Sequence, residues 1–500
     1  MSDFVQKNRP ALIGLALTVA VVAWAALQYE PRVAASILLS GLTLGALYFL
    51  VTAGLSLIFG LMDVLNFAHG TLFMAGAYMG YTLYANPRLL LNTLPLILAF
   101  VGAAQAAGVI AARRGLRQPA GRAGQALLWG LWAAAVALLL VGVAGFDLAP
   151  LATSAISAGG QVPTEQAQEP LGRALARLAA LAAGGAAAGA ALALRRGALR
   201  PPAWGGAVTG GARVGPAVGG AQACTPPPAL PPRLSSNPRV LLALLVGAGS
   251  GAALGGLMEW SLIRPLYSRP IYQVLVTLGL VFVGTELVKG VWGPTGYYMD
   301  VPDFFSQRGE SCPSPNLVAW LQDNCASIDV LGRPFPSYRL FIIALGLLMF
   351  GGIALLLRRT RLGMIIRAGV QDGEMVQALG INVRRVFTLV FALGAGLAAL
   401  GGVAAAPFVG VNPNLGHEFQ LQAFIAVVIG GMGSYTGAAI GALLVGLARA
   451  FGDQIVLSGI QLPWMSEAMQ LSPSIARAST VLIMALVLLL RPTGLFGKKD

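Results

Sequence analysis

Apolar stretches about as long as a membrane is thick recur along most of this 500-residue chain. A helix needs about 20 mostly apolar residues to cross a bilayer. Lipid offers the backbone no hydrogen-bond partners, so such segments are predicted to be helices. About twelve candidate spans meet this description: 11–29, 36–60, 67–85, 92–112, 126–145, 240–262, 271–292, 339–357, 386–407, 419–433, 436–451 and 477–491. The sequence therefore predicts an all-α, polytopic membrane protein with about 12 transmembrane helices, some broken or re-entrant, and with 178–194 as an uncertain extra segment.

The composition excludes the other broad classes of protein. Hydrophobic residues make up 56% of the chain and charged residues only 10%, whereas a soluble domain carries about 25% charged residues. Disordered chains combine low hydrophobicity with high charge, which is the opposite pattern. The net charge is +14, but residues 113–239 hold 12 Arg and 3 acidic residues and so account for +9 of it. The charge therefore does not indicate nucleic-acid binding, and membrane lipid is the predicted surrounding.

The distribution of arginine predicts the orientation of the chain. Residues 358–385 carry six Arg, and residues 293–337 carry five acidic residues and two Arg. Basic loops remain in the cytoplasm, so 358–385 is predicted to be cytoplasmic and 293–337 to lie outside. With twelve spans, the N- and C-termini are both predicted to be cytoplasmic. This scheme requires that 178–194 does not cross.

Four regions are predicted along the chain. Residues 1–35 form an N-terminal anchor helix, 36–112 the first part of a core, and 240–500 the second part, which contains the cytoplasmic segment 358–385. Between them, residues 113–239 are an insertion rich in Arg, Ala, Gly and Pro. Its stretch 201–238 has no helical period, and the density of Pro and Gly predicts a flexible or polyproline-like linker.

The first polar cluster within apolar sequence contains Asn66 and His69, and Gly70 follows directly. Polar groups at membrane depth are costly unless they find partners or face a water-filled path. Asn66, His69 and Gly70 are therefore candidates for a solute path. The alternative is a satisfied helix end, in which Asn66 caps a helix that begins at Phe67.

A second cluster lies further along the chain, where Asn414 and His417 precede a glycine-dense string. The string consists of Gly430, Gly431, Met432, Gly433 and Ser434. Glycines at this density predict a broken helix, and helix breaks often line solute paths in membranes. Asn414, His417, Gly430, Gly431, Gly433 and Ser434 are therefore further candidates for the path, and tight helix packing is the alternative.

The third informative stretch lies within the predicted cytoplasmic segment. A helix is predicted over 371–379, and Gly380 fits the left-handed position that ends a helix. A short helix, a glycine stop and then the next span form a suitable shape for docking a soluble partner. A plain surface loop is the alternative.

These three stretches together resemble the membrane permease subunit of high-affinity branched-chain amino acid ABC importers. The resemblance covers about 36–86 and 240–497, and its most specific strings are Leu65–Gly70 and Gly430–Ser434. The family's coupling motif is Glu-Ala-Ala followed by Gly six residues after the Glu. Here the motif reads Glu374-Met375-Val376 with Gly380, so both alanines are replaced and the spacing is kept.

The resemblance implies what the chain does and what it binds. It implies a permease that carries branched-chain or related amino acids across the bacterial inner membrane. ATP would be hydrolysed by cytoplasmic ATPase subunits, a second related permease subunit would complete the pore, and a periplasmic binding protein would deliver the solute. The residues implied to couple the permease to the ATPase are Arg367, Asp372, Glu374, Ala378, Gly380 and Asn382.

Other readings of the chain remain open. A self-sufficient secondary transporter or channel usually needs ionisable residues inside its spans, and Glu286, Lys289 and Arg449 are examples here. The sequence predicts no catalytic residues, no metal site and no cofactor, because it contains no P-loop string and no Cys/His cluster. Cys312 and Cys325 share the predicted outer segment, where they form either a disulfide or two free thiols.

Overall fold

The computed structural model describes 29–62, 65–85, 122–143, 171–196, 236–267, 269–309, 312–371, 373–459 and 474–496, together with the single residues 103, 107 and 472. Most of these residues are helical. The predicted spans 11–29 and 92–112 lie outside the described residues, apart from residues 29, 103 and 107. Most of the predicted linker 201–238 also lies outside them.

Fourteen α-helices occupy the described part of the chain. Their bounds are α1 Pro31–Met62, α2 His69–Ala85, α3 Arg122–Val143, α4 Leu171–Arg196, α5 Ser236–Met258, α6 Pro270–Trp292, α7 Leu317–Asp323, α8 Ser337–Arg359, α9 Arg361–Gln371, α10 Gly373–Ala378, α11 Val383–Val409, α12 Leu415–Gly430, α13 Tyr435–Ser458 and α14 Ser474–Leu490. A π-helical turn, Glu259–Ile263, and a 3₁₀ turn, Arg264–Leu266, follow α5. The prediction of an all-α fold is confirmed.

Seven described segments are long and apolar enough to span a membrane: Pro31–Met62, Gly124–Val141, Ser236–Leu266, Pro270–Trp292, Ser337–Arg359, Val383–Val409 and Tyr435–Ser458. The predicted spans 67–85, 419–433 and 477–491 correspond to the shorter helices α2, α12 and α14. The extra segment 178–194 lies within α4. The sequence misplaced two helix boundaries: α2 begins at His69 rather than Phe67, and the helix predicted over 371–379 covers only Gly373–Ala378.

The chain divides into two compact units, one from 1–85 and 235–500 and the other from 86–234. In the second unit α3 packs against α4, where a Cβ on Gly184 would lie 3.1 Å from Leu138 Cβ. This pair leaves Trp129 75% exposed. The four-region division drawn from the sequence stays a prediction.

Glycine and alanine determine how closely the helices of the first unit approach. Gly54 of α1 packs on Gly394 of α11, and Gly402 of α11 packs on Phe73 of α2. Small residues let helix backbones meet closely, which is how membrane helices associate without a strong hydrophobic drive. By contrast, Phe282 on α6 and Leu347 on α8 are 73% and 66% exposed. Such outward apolar faces suit contact with lipid.

The segment between α6 and α8 is a small ordered cap. Strands β1 Ser327–Val330 and β2 Arg333–Pro336 pair in antiparallel register, with Ser327 opposite Pro336. A disulfide joins Cys312 to Cys325, and their Cα atoms are 5.7 Å apart. The rings of Phe304, Phe305, Trp320, Tyr338 and Phe341 form an aromatic cluster that packs the cap onto the start of α8.

Replacing Cys325 with serine should loosen this cap. The bond closes a loop of 13 residues, and loss of such a cross-link costs about 3 kcal/mol of stability. We expect faster limited proteolysis within 293–337 under oxidising conditions. Cys224→Ser is the control, because it removes the remaining cysteine and leaves this bond intact. Equal proteolysis of Cys325→Ser and wild-type protein would contradict a stabilising role for the bond.

Candidate functional site

A cavity of about 720 Å³ lies at one end of the helix bundle of the first unit. Its wall combines the N-terminal parts of α1, α8, α12 and α14 with the C-terminal ends of α11 and α13. The wall contributed by α1 runs from Val33 to Tyr48, which is about 22 Å along a helix. The volume falls within the range of small-molecule sites.

Charged side chains line this cavity although they belong to apolar helices. Arg449 Nε lies 3.1 Å from Asp453 Oδ1, and Arg477 Nη2 lies 3.4 Å from Glu418 Oε1. Arg339 donates from Nη1 to Ser40 Oγ at 3.2 Å. Ionisable residues in membrane helices usually face a path or a water-filled space. The cavity is therefore the candidate solute path.

The buried part of the cavity wall is also polar. Tyr48 and Gln422 are only 5% and 6% exposed, and both line the cavity. The ring of Tyr48 is 5.6 Å from that of Phe419, which also lines the wall. Gln422 Oε1 has no hydrogen-bond partner among the described residues. A buried acceptor without a partner indicates a place that water or a ligand can fill.

Asn66, His69 and Gly70 lie where α2 meets α12, and they are not among the residues that line this cavity. Asn66 Oδ1 accepts from Ala68 N at 3.0 Å, which forms a turn just before α2. Gln420 binds both sides of this turn: Gly70 N donates to its Oε1 at 2.6 Å, and its Nε2 donates to Asn66 O at 3.4 Å. Their role in transport stays a prediction.

The imidazole of His69 is fully buried at the start of α2. It faces the backbone carbonyl of Val51, but neither ring nitrogen makes a hydrogen bond of normal geometry to any described residue. A Cβ on Gly54 would lie 2.7 Å from Nε2. His69 therefore packs directly on α1, and Gly54 leaves the space it occupies.

Asn414 and His417 are exposed at the start of α12, and His417 lines the cavity. Asn414 O accepts from His417 N at 3.0 Å, which is part of the first turn of α12. Of the nine residues predicted for the path, His417 is the one found in the wall of this cavity.

The glycine string lies at the opposite end of α12, in the tight turn before α13. Gly431 and Gly433 have φ of +95° and +77°, a conformation that favours glycine. A Cβ on Gly430 would lie 2.2 Å from Gly437 O, so the two helices touch through their backbones. Ser434 Oγ accepts from Gly437 N at 3.1 Å and caps α13. The string thus forms a close helix hairpin.

The predicted coupling segment consists of two short helices, α9 and α10, between α8 and α11. Gly380 follows α10 with φ of +80°, and Asn382 caps α11 by accepting from Arg385 N at 3.2 Å. Arg367 and Ala378 are exposed. Asp372 and the side chain of Glu374 lie outside the described residues.

Apolar side chains on this segment point outward. The exposed fractions of Met364, Met375 and Leu379 are 62%, 60% and 73%, whereas Val376 is buried. The segment therefore anchors through Val376 and presents an apolar outer surface, which suits a protein partner.

A family model described as branched-chain amino acid transport system / permease component matches residues 119–490. This range covers most of the chain. The chain belongs to this permease family. The matched range includes most of the predicted insertion 113–239 and ends before the C-terminus; α1 and α2 precede it.

Individual relatives agree with this assignment. The high-affinity branched-chain amino acid transport system permease protein LivH of Escherichia coli K12 is 36% identical over 265 residues, which are 51% of this chain and 76% of LivH. BraD of Pseudomonas aeruginosa, a permease protein described in the same words, is 36% identical over 163 residues, 32% of this chain and 48% of BraD. The chain thus spans about half the length of BraD. The autoinducer 2 import system permease protein LsrD of Salmonella paratyphi B is 28% identical over 222 residues, 42% of this chain and 58% of LsrD. No solved structure matches.

Sequence analysis of this permease missed the most buried ion pair among the described residues. Glu259, which is fully buried, accepts from Arg264 Nη2 at 3.3 Å and from the hydroxyl of Tyr267. Arg264 also donates to Arg384 O at 3.2 Å and to Thr388 Oγ1 at 2.5 Å, both at the start of α11. Burial and the neighbouring Glu259 raise the pKa of Tyr267 above its ordinary value, so the hydroxyl stays a proton donor. This cluster ties the end of α5 to α11, directly after the coupling segment.

The polar residues of the cavity were also missed, apart from His417 and Arg449. Ser40 and Gln422 each lie within a predicted span, Arg339 begins one, and Arg477 begins the last. The available signal was a polar or charged residue set in apolar sequence. That signal does not show that residues some 300 positions apart line one cavity. Which residues share the cavity depends on how the helices pack.

Proposed function

We propose that this chain is the permease subunit of an ATP-driven importer for branched-chain or related amino acids. The observation that carries the proposal is the cavity with charged walls at one end of the bundle. It lies at the opposite ends of α8 and α11 from the coupling segment. These helices have 23 and 27 residues, so about 35 to 40 Å separate the cavity from the coupling segment. A permease needs this separation between solute entry and ATPase docking.

The two ends of the bundle also differ in charge. The cavity end carries the acidic segment 293–337, and the other end carries the six Arg of 358–385. Under the rule that basic loops stay inside, the cavity opens to the periplasm and both termini are cytoplasmic. The Cys312–Cys325 disulfide supports this orientation, since such bonds persist in oxidising compartments.

The proposed orientation assigns each expected partner to a place on the permease. Cytoplasmic ATPase subunits would dock on α9, α10 and Gly380, with Arg367, Asp372, Glu374, Ala378 and Asn382 at or beside the contact. A periplasmic binding protein would deliver solute to the cavity, and a second related permease subunit would complete the pore. The chain would reside in the bacterial inner membrane, and its relatives are named as permease proteins of import or transport systems.

Charge reversal at Glu374 tests this proposal. We expect Glu374→Arg to lose co-purification of the ATPase and to lower ATP-driven leucine uptake into proteoliposomes at least roughly tenfold, because a buried contact with the wrong charge costs several kcal/mol. The reconstitution contains the binding protein, both permease subunits and the ATPase.

The control is Asp300→Arg, a charge reversal at an exposed site at the opposite end of the helix bundle. Asp300→Arg should retain the ATPase. If Glu374→Arg still binds the ATPase and transports normally, this docking assignment is wrong. Leucine uptake by the permease alone, driven by a proton or sodium gradient, would instead support a secondary transporter.

A further inference from the structure

We propose that Arg339 binds the carboxylate of the transported solute inside the cavity that opens to the periplasm. The inference rests on the proposed function, because it names a recognition residue within the same path. The guanidinium group of Arg339 lies at the start of α8, and the residue lines the cavity together with Ser40 and Phe408.

The charges of the cavity wall set Arg339 apart. Four arginines and two carboxylates line the wall. Arg449 and Arg477 are paired with Asp453 and Glu418. Arg333 is exposed at the rim, whereas Arg339 is partly buried and has no carboxylate partner in the described structure. A partly buried cation without an anion is costly, so an anionic ligand would stabilise this site.

The surroundings of Arg339 hold its guanidinium in place. Its Cζ atom lies 4.7 Å from the ring centroid of Phe408 and 5.7 Å from that of Phe335. Stacking on aromatic rings fixes the plane of the guanidinium. Ser40 Oγ uses one N–H donor, and an arginine has five. Within the described structure, the remaining donors are available for the two oxygens of a carboxylate, the geometry in which arginine binds most strongly.

The rest of the wall suits an amphiphilic solute. Val33, Ile37, Leu44, Leu421 and Leu457 supply apolar surface in the same cavity. Gln422 is more than nine-tenths buried, and its Oε1 lacks a partner in the part of the chain that the structure describes. A ligand ammonium could use this acceptor at a deeper position. The lining thus offers a cation, an apolar wall and an unpaired acceptor, which match the groups of a small apolar amino acid.

The decisive experiment measures binding to the complete importer in nanodiscs, without the binding protein. The probes are radiolabelled L-leucine and L-leucinamide, which differ in the carboxylate. We expect Arg339→Gln to weaken leucine binding roughly 10- to 100-fold, the effect of losing a charge-assisted bond. Arg339→Lys should weaken leucine binding less, because lysine keeps the positive charge but lacks the planar guanidinium that donates two parallel hydrogen bonds. Leucinamide should bind the wild type weakly and be insensitive to both substitutions.

Arg308→Gln is the matched control, because it removes an exposed arginine between α6 and α8 that does not line the cavity. It should leave leucine binding within about twofold of the wild type. Retention of the ATPase by each variant shows that the permease is folded. If Arg339→Gln binds leucine like the wild type, or if the wild type binds leucinamide and leucine equally, the inference is wrong.

Two further outcomes distinguish this inference from docking of the binding protein and from the proposed function. Arg339→Gln could bind leucine normally yet fail to receive it from the binding protein; Arg339 would then bind a carboxylate of that protein, and the inference would be overturned. If the wild-type importer moves no amino acid with ATP, but leucine binding still depends on Arg339, the proposed function fails and the carboxylate site stands.

Discussion

Replacing Gly402 with alanine should destabilise this permease more than any other single-methyl addition at a helix crossing described here. A Cβ at Gly402 would lie 1.9 Å from the carbonyl oxygen of Phe73 and 2.9 Å from Ala77 N. Both neighbours are backbone atoms of α2, so no side chain can rotate away. The methyl group can fit only if α2 and α11 separate. Overpacking of this kind costs about 3 kcal/mol, and occasionally more.

The matched control is Gly352→Ala on α8. Gly352 is exposed, and a Cβ there would meet nothing within 4 Å. Alanine favours a helix over glycine by about 1 kcal/mol, so this variant should be neutral or slightly stabilised. Thermal unfolding in detergent, followed by the loss of the monodisperse peak in size-exclusion chromatography, compares the two. If Gly402→Ala and Gly352→Ala unfold at the same temperature, α2 and α11 are less closely packed than the structure indicates.

The pattern of the sequence was sufficient to predict the helices but not their contacts. Apolar stretches of about 20 residues specify helices because lipid leaves the backbone no other partner. Helix ends with a local signal were also predictable, as Gly380 illustrates with its φ of +80°. The start of α2 lies two residues after the predicted one, and the Asn66–Gly70 turn before it is held in part by Gln420, some 350 positions away. A contact at that separation leaves no local pattern.

The candidate site was harder to predict for the same reason. The string Gly430–Ser434 stays a predicted part of the solute path, and the structure places it in a tight helix hairpin that does not line the cavity. Dense glycine permits both a broken helix and a close crossing, so composition alone cannot choose between them. Arg339 and Ser40 each look like an isolated polar residue in the sequence. Only the packing of α8 beside α1 brings them within hydrogen-bond distance.

Removing Arg264 should be the second strongly destabilising change. Glu259 is fully buried, and Arg264→Leu would leave its carboxylate with the Tyr267 hydroxyl as the remaining described donor. Breaking a buried ion pair from one side costs about 3–5 kcal/mol, because an uncompensated charge remains. The pair Glu286–Lys289 provides the control, since its side chains are 69% and 37% exposed. Lys289→Leu should cost less than about 1 kcal/mol, as exposed pairs do.

The double variant Glu259→Gln/Arg264→Leu distinguishes the cost of the buried charge from the loss of the hydrogen bonds between Arg264 and α11. It removes the buried charge, so it should recover part of the stability lost in Arg264→Leu. Recovery should be incomplete, because Arg264 also donates to Arg384 O and Thr388 Oγ1 and thereby holds α11. Thermal unfolding of the wild type, both single variants and the double variant gives the coupling energy directly. Additive effects of the two substitutions would show that Glu259 and Arg264 do not stabilise each other. A coupling energy well above that measured in the same way for Glu286 and Lys289 would show that the buried pair stabilises the turns that follow α5, from which Arg264 reaches α11 beside the segment proposed to bind the ATPase.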